Sequence, residues 1–314
     1  MTPTWPAALL SEARSTQGHP VSEPTDIEAR QEGERRVLLA IVTRPEPQAS
    51  AWVSKLRARG VQAVACPLLV IAPAPDPAAV QGVMAGLRAP DSVMFVSPNA
   101  AAQFFACRPA HWRWPGGVQA LATGPGTVAA LLEAGVPQAL IVAPPLASAQ
   151  FDSETLWAQV CQQPWPGRRL WVVRGEGGRD WFSTTARAAG ADVQWVQAYA
   201  RSSPAASDAL LHHLQGLHAM GPQAVWLLSS SEAVDHLEAL LPGVSWASGV
   251  AVASHPRIAE RAQALGMGCV LDVRPTVDAV VEAMTALQAT APDTSALRHQ
   301  CGAAAAPDLP VGGA

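Results

Sequence analysis

Six short polar clusters carry the chemistry that this sequence offers. They are Thr43-Arg44-Pro45-Glu46, Ser97-Pro98-Asn99-Ala100, Thr123-Gly124-Pro125-Gly126-Thr127, Arg174-Gly175-Glu176-Gly177-Gly178, Ser229-Ser230-Ser231-Glu232-Ala233 and Ser254-His255-Pro256-Arg257. Most place a small hydroxyl residue or a glycine just before a predicted helix. The backbone N–H groups at a helix N-terminus hold anions, carboxylates as well as phosphates. The plainer use of Ser and Thr there is to cap the helix. Six such loops on one predicted edge favour a ligand. Arg44 and Arg174 add guanidinium forks suited to a carboxylate, unless Glu46 and Glu176 engage them. Tyr199, the only tyrosine, is the one phenolic proton donor. The candidate catalytic residue is therefore Tyr199. The candidate substrate-binding residues are Thr43, Arg44, Ser97, Asn99, Gly124, Thr127, Arg174, Gly175, Ser229, Ser230 and Ser254.

Other chemistries lack their signatures. The chain has no GxGxxG fingerprint and no GxxxxGK[ST] loop, and the 123–127 loop lacks the lysine a phosphate loop needs. Neither HExxH nor a CxxC pair occurs among its eight histidines and five cysteines, so no metal site is expected and the thiols are expected to be reduced and mostly buried. No nucleophile–His–acid arrangement stands out. A net charge of −4 gives no basic field, and neither nucleic acid nor an anionic membrane is an expected partner.

The elements that must position these clusters alternate between strand and helix. Leu170–Val173 is a short apolar run of the kind a buried parallel strand shows. A Gly-rich loop, a helix over 181–189 and a stop at Gly190 follow, then a strand over 193–198 that leads to Tyr199. The same design runs from 37 to 69, where Ala49, Trp52, Val53 and Leu56 share one helix face. Further strands are predicted at 92–96, 118–122, 139–142, 225–228, 250–253 and 269–273, with a closing helix over 278–288. Alternation of this kind implies parallel sheets with right-handed crossovers. Ligands then sit beyond the carboxyl ends of the strands, where the six clusters fall.

The two segments are also related to one another. Arg44 matches Arg174, Glu46 matches Glu176, Arg57 matches Arg187 and Gly60 matches Gly190, each at an offset of 130. The echo continues, with Ser97–Ala100 on Ser230–Ala233, Thr123-Gly124-Pro125 on Ser254-His255-Pro256, and Gly135 on Gly266. Two related α/β halves follow. The proline-rich stretch 67–77 and the polar exit 198–204 read as extended connectors. We expect 37–66 with 205–288 as a discontinuous first domain and 78–197 as a second, the clusters of both facing one cleft. The ends, 1–36 and 289–314, read as disordered. With 49% hydrophobic residues but no membrane-length apolar run and no signal-peptide pattern, the chain is expected in the cytoplasm.

Taken in order, TRPEPQASAWVSKLRARG, VMFVSPNAA, ATGPGTVAALLEAG, SETL, VVRGEGGRDWF, the Tyr199 strand end and HPRIAERAQALG resemble the uroporphyrinogen-III synthase family over about residues 37 to 288. Ser254-His255-Pro256-Arg257 departs from the Gly/Thr-rich loop many members carry there. The resemblance implies two flavodoxin-like domains on a two-stranded connector. It also implies a hydro-lyase that needs no cofactor, closing the polycarboxylate hydroxymethylbilane to uroporphyrinogen III with its last ring inverted. Tyr199 matches the family's tyrosine and would assist hydroxyl departure. The implied partners are that substrate and, transiently, hydroxymethylbilane synthase, with the chain itself a monomer. The rival class is a non-enzymatic two-domain binder of a carboxylate-rich small molecule, against which the order of the motifs counts.

Overall fold

The computed structural model describes residues 37–289; the expectations for the two ends fall outside these residues. Strands β1 (Leu39–Val42), β2 (Gln62–Ala65), β10 (Ala224–Leu228), β11 (Val250–Ala253) and β12 (Cys269–Asp272) form one parallel sheet in the order β12-β11-β10-β1-β2. Strands β4 (Ser92–Phe95), β5 (Gln119–Ala122), β6 (Ile141–Val142), β7 (Arg169–Arg174) and β8 (Asp192–Gln197) form a second, in the order β6-β5-β4-β7-β8. Strands β3 (Val70–Pro73) and β9 (Tyr199–Ser202) pair antiparallel as the connector. This is the expected α/β fold of two flavodoxin-like sheets.

The central strands of both sheets are buried on both faces, which is why β1, β4, β10 and β11 read as apolar runs. Along β1, Ile41 joins one core while Ala40 and Val42 join the opposite one. Along β4, Val93 and Phe95 face one way and Met94 the other. Helices α1 (Gln48–Arg57) and α10 (Val277–Ala289) cover one face of the first sheet. Helices α7 (Asp208–Ala219), α8 (Ser231–Leu240) and α9 (Pro256–Ala264) cover its other face. The second sheet lies between α2 (Pro77–Gly86), α3 (Pro98–Ala106) and α4 (Pro125–Glu133) on one side and α5 (Ser153–Val160) and α6 (Trp181–Ala188) on the other.

The internal repeat explains the crossing. Strands β1 and β2 of the first half lie beside β10–β12 of the second half, and β7 and β8 of the second lie beside β4–β6 of the first. Each sheet thus has the same order, assembled from exchanged pieces. In the connector Ile71 pairs with Arg201, and these two positions are also related by the offset of 130. A local two-fold therefore passes through this pair, the intrachain counterpart of an isologous contact. The repeat-related helix stops Gly135 and Gly266 both take positive φ, 89° and 97°, a conformation costly for any residue with a Cβ.

Three readings change. Pro77 does not extend the connector but opens α2, behind Asp76, whose side chain accepts a hydrogen bond from the Ala79 N–H. The strand expected over 139–142 shrinks to two residues after a 3₁₀ turn at Gln138–Leu140. Cys66, Cys107 and Cys161 are free thiols, but Cys269 is disulfide-bonded; an isolated bridge leaves no CxxC-like trace in a sequence. Among the described residues no helix is long and apolar enough to cross a membrane.

Candidate active site

The carboxyl ends of the two sheets face a shared cleft with a cavity of about 840 Å³, continuous through shared walls with a smaller chamber of about 220 Å³. Val96, Thr123, Phe151, Arg179, His255 and Arg257 line both. Arg44, Ser97, Asn99, Gly124, Thr127, Ser229 and Ser254 line the larger space. Arg174, Gly175 and Tyr199 line the smaller one.

Tyr199 is the first residue of β9 and only 4% exposed. Its ring packs against Gly175, where a Cβ would stand 2.8 Å from a ring carbon. Its hydroxyl is 3.4 Å from Ser97 Oγ. Ser97 Oγ also accepts from the Ala100 N–H at 3.1 Å, capping α3. Its own proton is thus free to turn toward the phenol. The phenol and a serine hydroxyl meet at the chamber wall, the arrangement a proton donor to a leaving hydroxyl requires.

The two repeat-related arginines behave differently. Arg174 folds back on its own loop: Nε donates to the Gly177 carbonyl at 2.8 Å and a terminal nitrogen pairs with the Asp180 carboxylate. It shapes the Gly-rich loop. Arg44 lies 4.3 Å over the Trp52 ring, and among the described residues no carboxylate pairs with it. Burial lowers its guanidinium to about 10. The expected partner Glu46 instead accepts from the Ser50 N–H and hydroxyl, at 3.2 and 2.9 Å.

Thr43 and Ser230 are not brought to the cleft walls. Thr43 is 1% exposed and its hydroxyl donates to the Leu227 carbonyl at 2.7 Å, tying β1 to β10. Ser230 is the N-cap residue of α8, yet its side chain makes no capping bond, and the neighbouring Ser229 and Ser231 line the cleft instead. Residue type alone does not tell which way a hydroxyl turns.

Several wall residues escaped the sequence reading. Gln48 Nε2 donates to Asn99 Oδ1 at 2.7 Å, joining α1 of one sheet to α3 of the other. His255 caps α9 through Nδ1, which accepts from the Arg257 N–H at 3.2 Å. Nε2 of the same ring lies 3.3 Å from an Arg257 guanidinium nitrogen and 4.0 Å from the Asp152 carboxylate on the opposite side. Burial first, and then the nearby Arg257 charge, lower the His255 imidazole. Asp152 itself is raised by burial, but hydrogen bonds from the Thr155 N–H and hydroxyl outweigh this and hold it below the usual carboxylate value. Arg179 pairs with Glu154 at 2.9 Å. The sequence marked His255 and Arg257 as part of a polar cluster and Arg179 as part of the RGEGGRD stretch, but not which side chains meet across the cleft. Phe151, Asp152 and Arg179 belong to loops whose place in the cleft depends on how the sheets face each other.

A family model described as uroporphyrinogen-III synthase HemD matches residues 50–282. A uroporphyrinogen-III synthase from Salmonella typhimurium is 27% identical over 217 residues, 64% of this chain and 79% of that protein. One from Escherichia coli K12 is 28% identical over 209 residues, with the same shares covered. The crystal structure of a mutant uroporphyrinogen III synthase from the extremely thermophilic bacterium Thermus thermophilus is similar in fold, with a TM-score of 0.51 and 13% identity over 80% of this chain and 98% of that one.

Proposed function

The chain belongs to the uroporphyrinogen-III synthase family, and from that premise we propose that its cleft closes linear hydroxymethylbilane to uroporphyrinogen III, as a cyclising hydro-lyase without a cofactor. The observation that carries this reading is the Tyr199 hydroxyl, set beside Ser97 at the wall where the small chamber meets the large one. The phenol gives a proton to the departing hydroxyl, so that water leaves and an azafulvene remains. The substituted carbon of the last pyrrole attacks its methylene and forms a spiro-pyrrolenine. Fragmentation of one carbon–carbon bond and reclosure at the ring's other α-carbon then invert that ring, and loss of that carbon's hydrogen as a proton restores the pyrrole and balances the proton the phenol gave. Uncatalysed closure gives the symmetrical isomer, so the protein's contribution is largely orientation.

A polycarboxylate suits a protein of net charge −4 only if local groups hold it. The N-termini of α4 and α8, which lack side-chain caps, and Arg44 supply such groups. On the same reading, 37–66 with 205–288 and the segment 78–197 are two domains able to shift about the connector. The enzyme works in the cytoplasm as a monomer that receives substrate from hydroxymethylbilane synthase. With hydroxymethylbilane generated in situ and no added cofactor, the oxidised product is expected to be predominantly isomer III. Isomer I alone, from folded protein, contradicts the proposal.

A further inference from the structure

The repeat gives Arg44 and Arg174 the same place at the end of a first strand, yet only one of them is satisfied. Arg174 is held by Asp180 and the Gly177 carbonyl. Arg44 is half-buried at the cleft wall, and among the described residues its guanidinium has neither a carboxylate nor a hydrogen-bond acceptor. Its nearest acid in sequence, Glu46, is bound to Ser50. Glu232, in the first turn of α8, is paired with Arg201 at 3.1 Å. What holds Arg44 is the face of Trp52 behind it. A cation so placed has lost part of its hydration without gaining a counter-ion, and its lowered guanidinium pKa of about 10 expresses that cost.

The wall around Arg44 is built for an anion. Ser229 and Ser231, at the N-terminus of the ten-residue α8, line the same cleft, and this helix has no side-chain cap. Helices α3, α5 and α9 differ, because Ser97, Asp152 and His255 cap them. Lys55 lies on the same wall. A carboxylate there would take two N–H bonds from the guanidinium and present its remaining lone pairs to the start of α8.

We propose that Arg44, backed by Trp52 and facing the uncapped start of α8, is an anchoring subsite for a carboxylate of the substrate, separate from the chamber where Tyr199 acts. The inference rests on the proposed synthase reading and deepens it. Arg44 binds, and Trp52 is a positioning residue that fixes the plane of the guanidinium. The larger space holds carboxylates of the chain, and the smaller one holds the reacting end.

The test uses the full-length protein and its Arg44→Leu, Arg44→Lys and Trp52→Leu variants in the coupled assay, together with a fluorescence titration of uroporphyrin, the oxidised product that keeps the product's carboxylates. Arg44→Leu should raise KM and weaken uroporphyrin binding about 10- to 100-fold, the worth of one or two charge-assisted hydrogen bonds, while kcat stays within about twofold. Arg44→Lys and Trp52→Leu should shift KM less, in the same direction. These two carry the test should Arg44→Leu not fold. Unchanged KM and uroporphyrin affinity in an active background overturn the anchor and leave the synthase reading standing. A fall in kcat at constant KM overturns it too. A wild-type protein that makes no isomer III removes the synthase reading, and the titration then decides the anchor alone: equal affinity of wild type and Arg44→Leu, or none in either, rejects it.

Discussion

Tyr199 and Gly175 work as a pair. The ring rests where any Cβ at 175 would intrude, at 2.8 to 2.9 Å from two of its carbons. Tyr199→Phe keeps the packing and removes the proton, so turnover should fall about 10²- to 10⁴-fold with the melting temperature little changed. Gly175→Ala keeps the proton and displaces the ring, so kcat should fall about 10²-fold. Coupled-assay kinetics beside thermal melts separate the two effects; full turnover in Tyr199→Phe would remove its acid role. The place of Tyr199 at the cleft was legible because it is unique and lies at a predicted crossover. Thr43 lies off the cleft walls because its hydroxyl ties β1 to β10, and Ser230, at the start of α8, stands between Ser229 and Ser231, which line the cleft instead. Arg44 and Arg174 were indistinguishable by pattern. Their difference comes from Asp180, six residues beyond Arg174, and from Ser50, which engages Glu46.

The six loops divide once their helices are seen. Ser97 and His255 cap the helices they precede, the reading that any one such loop invites, while α4 and α8 begin without a side-chain cap. Helix α2 was missed among four prolines, although Asp76-Pro77 is the N-cap and first-position pair that starts helices. The cap on α9 has a pH consequence. Burial and the Arg257 charge hold His255 below its ordinary 6.5, with Asp152 and Glu154 opposing and Arg179 adding to the depression. The unfolded chain takes up a proton near pH 6.5 that the folded chain resists. This contribution to stability is therefore present above that pH, and is lost as pH falls through the lowered folded value. His213 is lowered as well, so a comparison isolates His255. His255→Asn, which retains a capping side chain, should lose less melting temperature than wild type between about pH 7.5 and 5.5. Equal losses would show that His255 contributes nothing to the acid limb.

The exchange of strands between two equivalent halves was visible in an offset that stays between 130 and 133, because a repeat preserves loop positions even where packing diverges. The contacts that turn two sheets into one site were not visible. Gln48 with Asn99, His255 facing Asp152, and Arg201 with the Glu176 carbonyl and Glu232 all cross between segments far apart in the chain. No periodicity records them. The proposed reaction requires a single cleft in which both sheets hold one polycarboxylate at once. Hydrogen exchange of the full-length protein, with and without uroporphyrin, tests this directly. Bound ligand should slow exchange in the loops of both sheets, around 97–99, 124–127 and 174–178 on one side and 229–231 and 254–257 on the other. Slowing confined to the loops of one sheet, or found in neither, would contradict it.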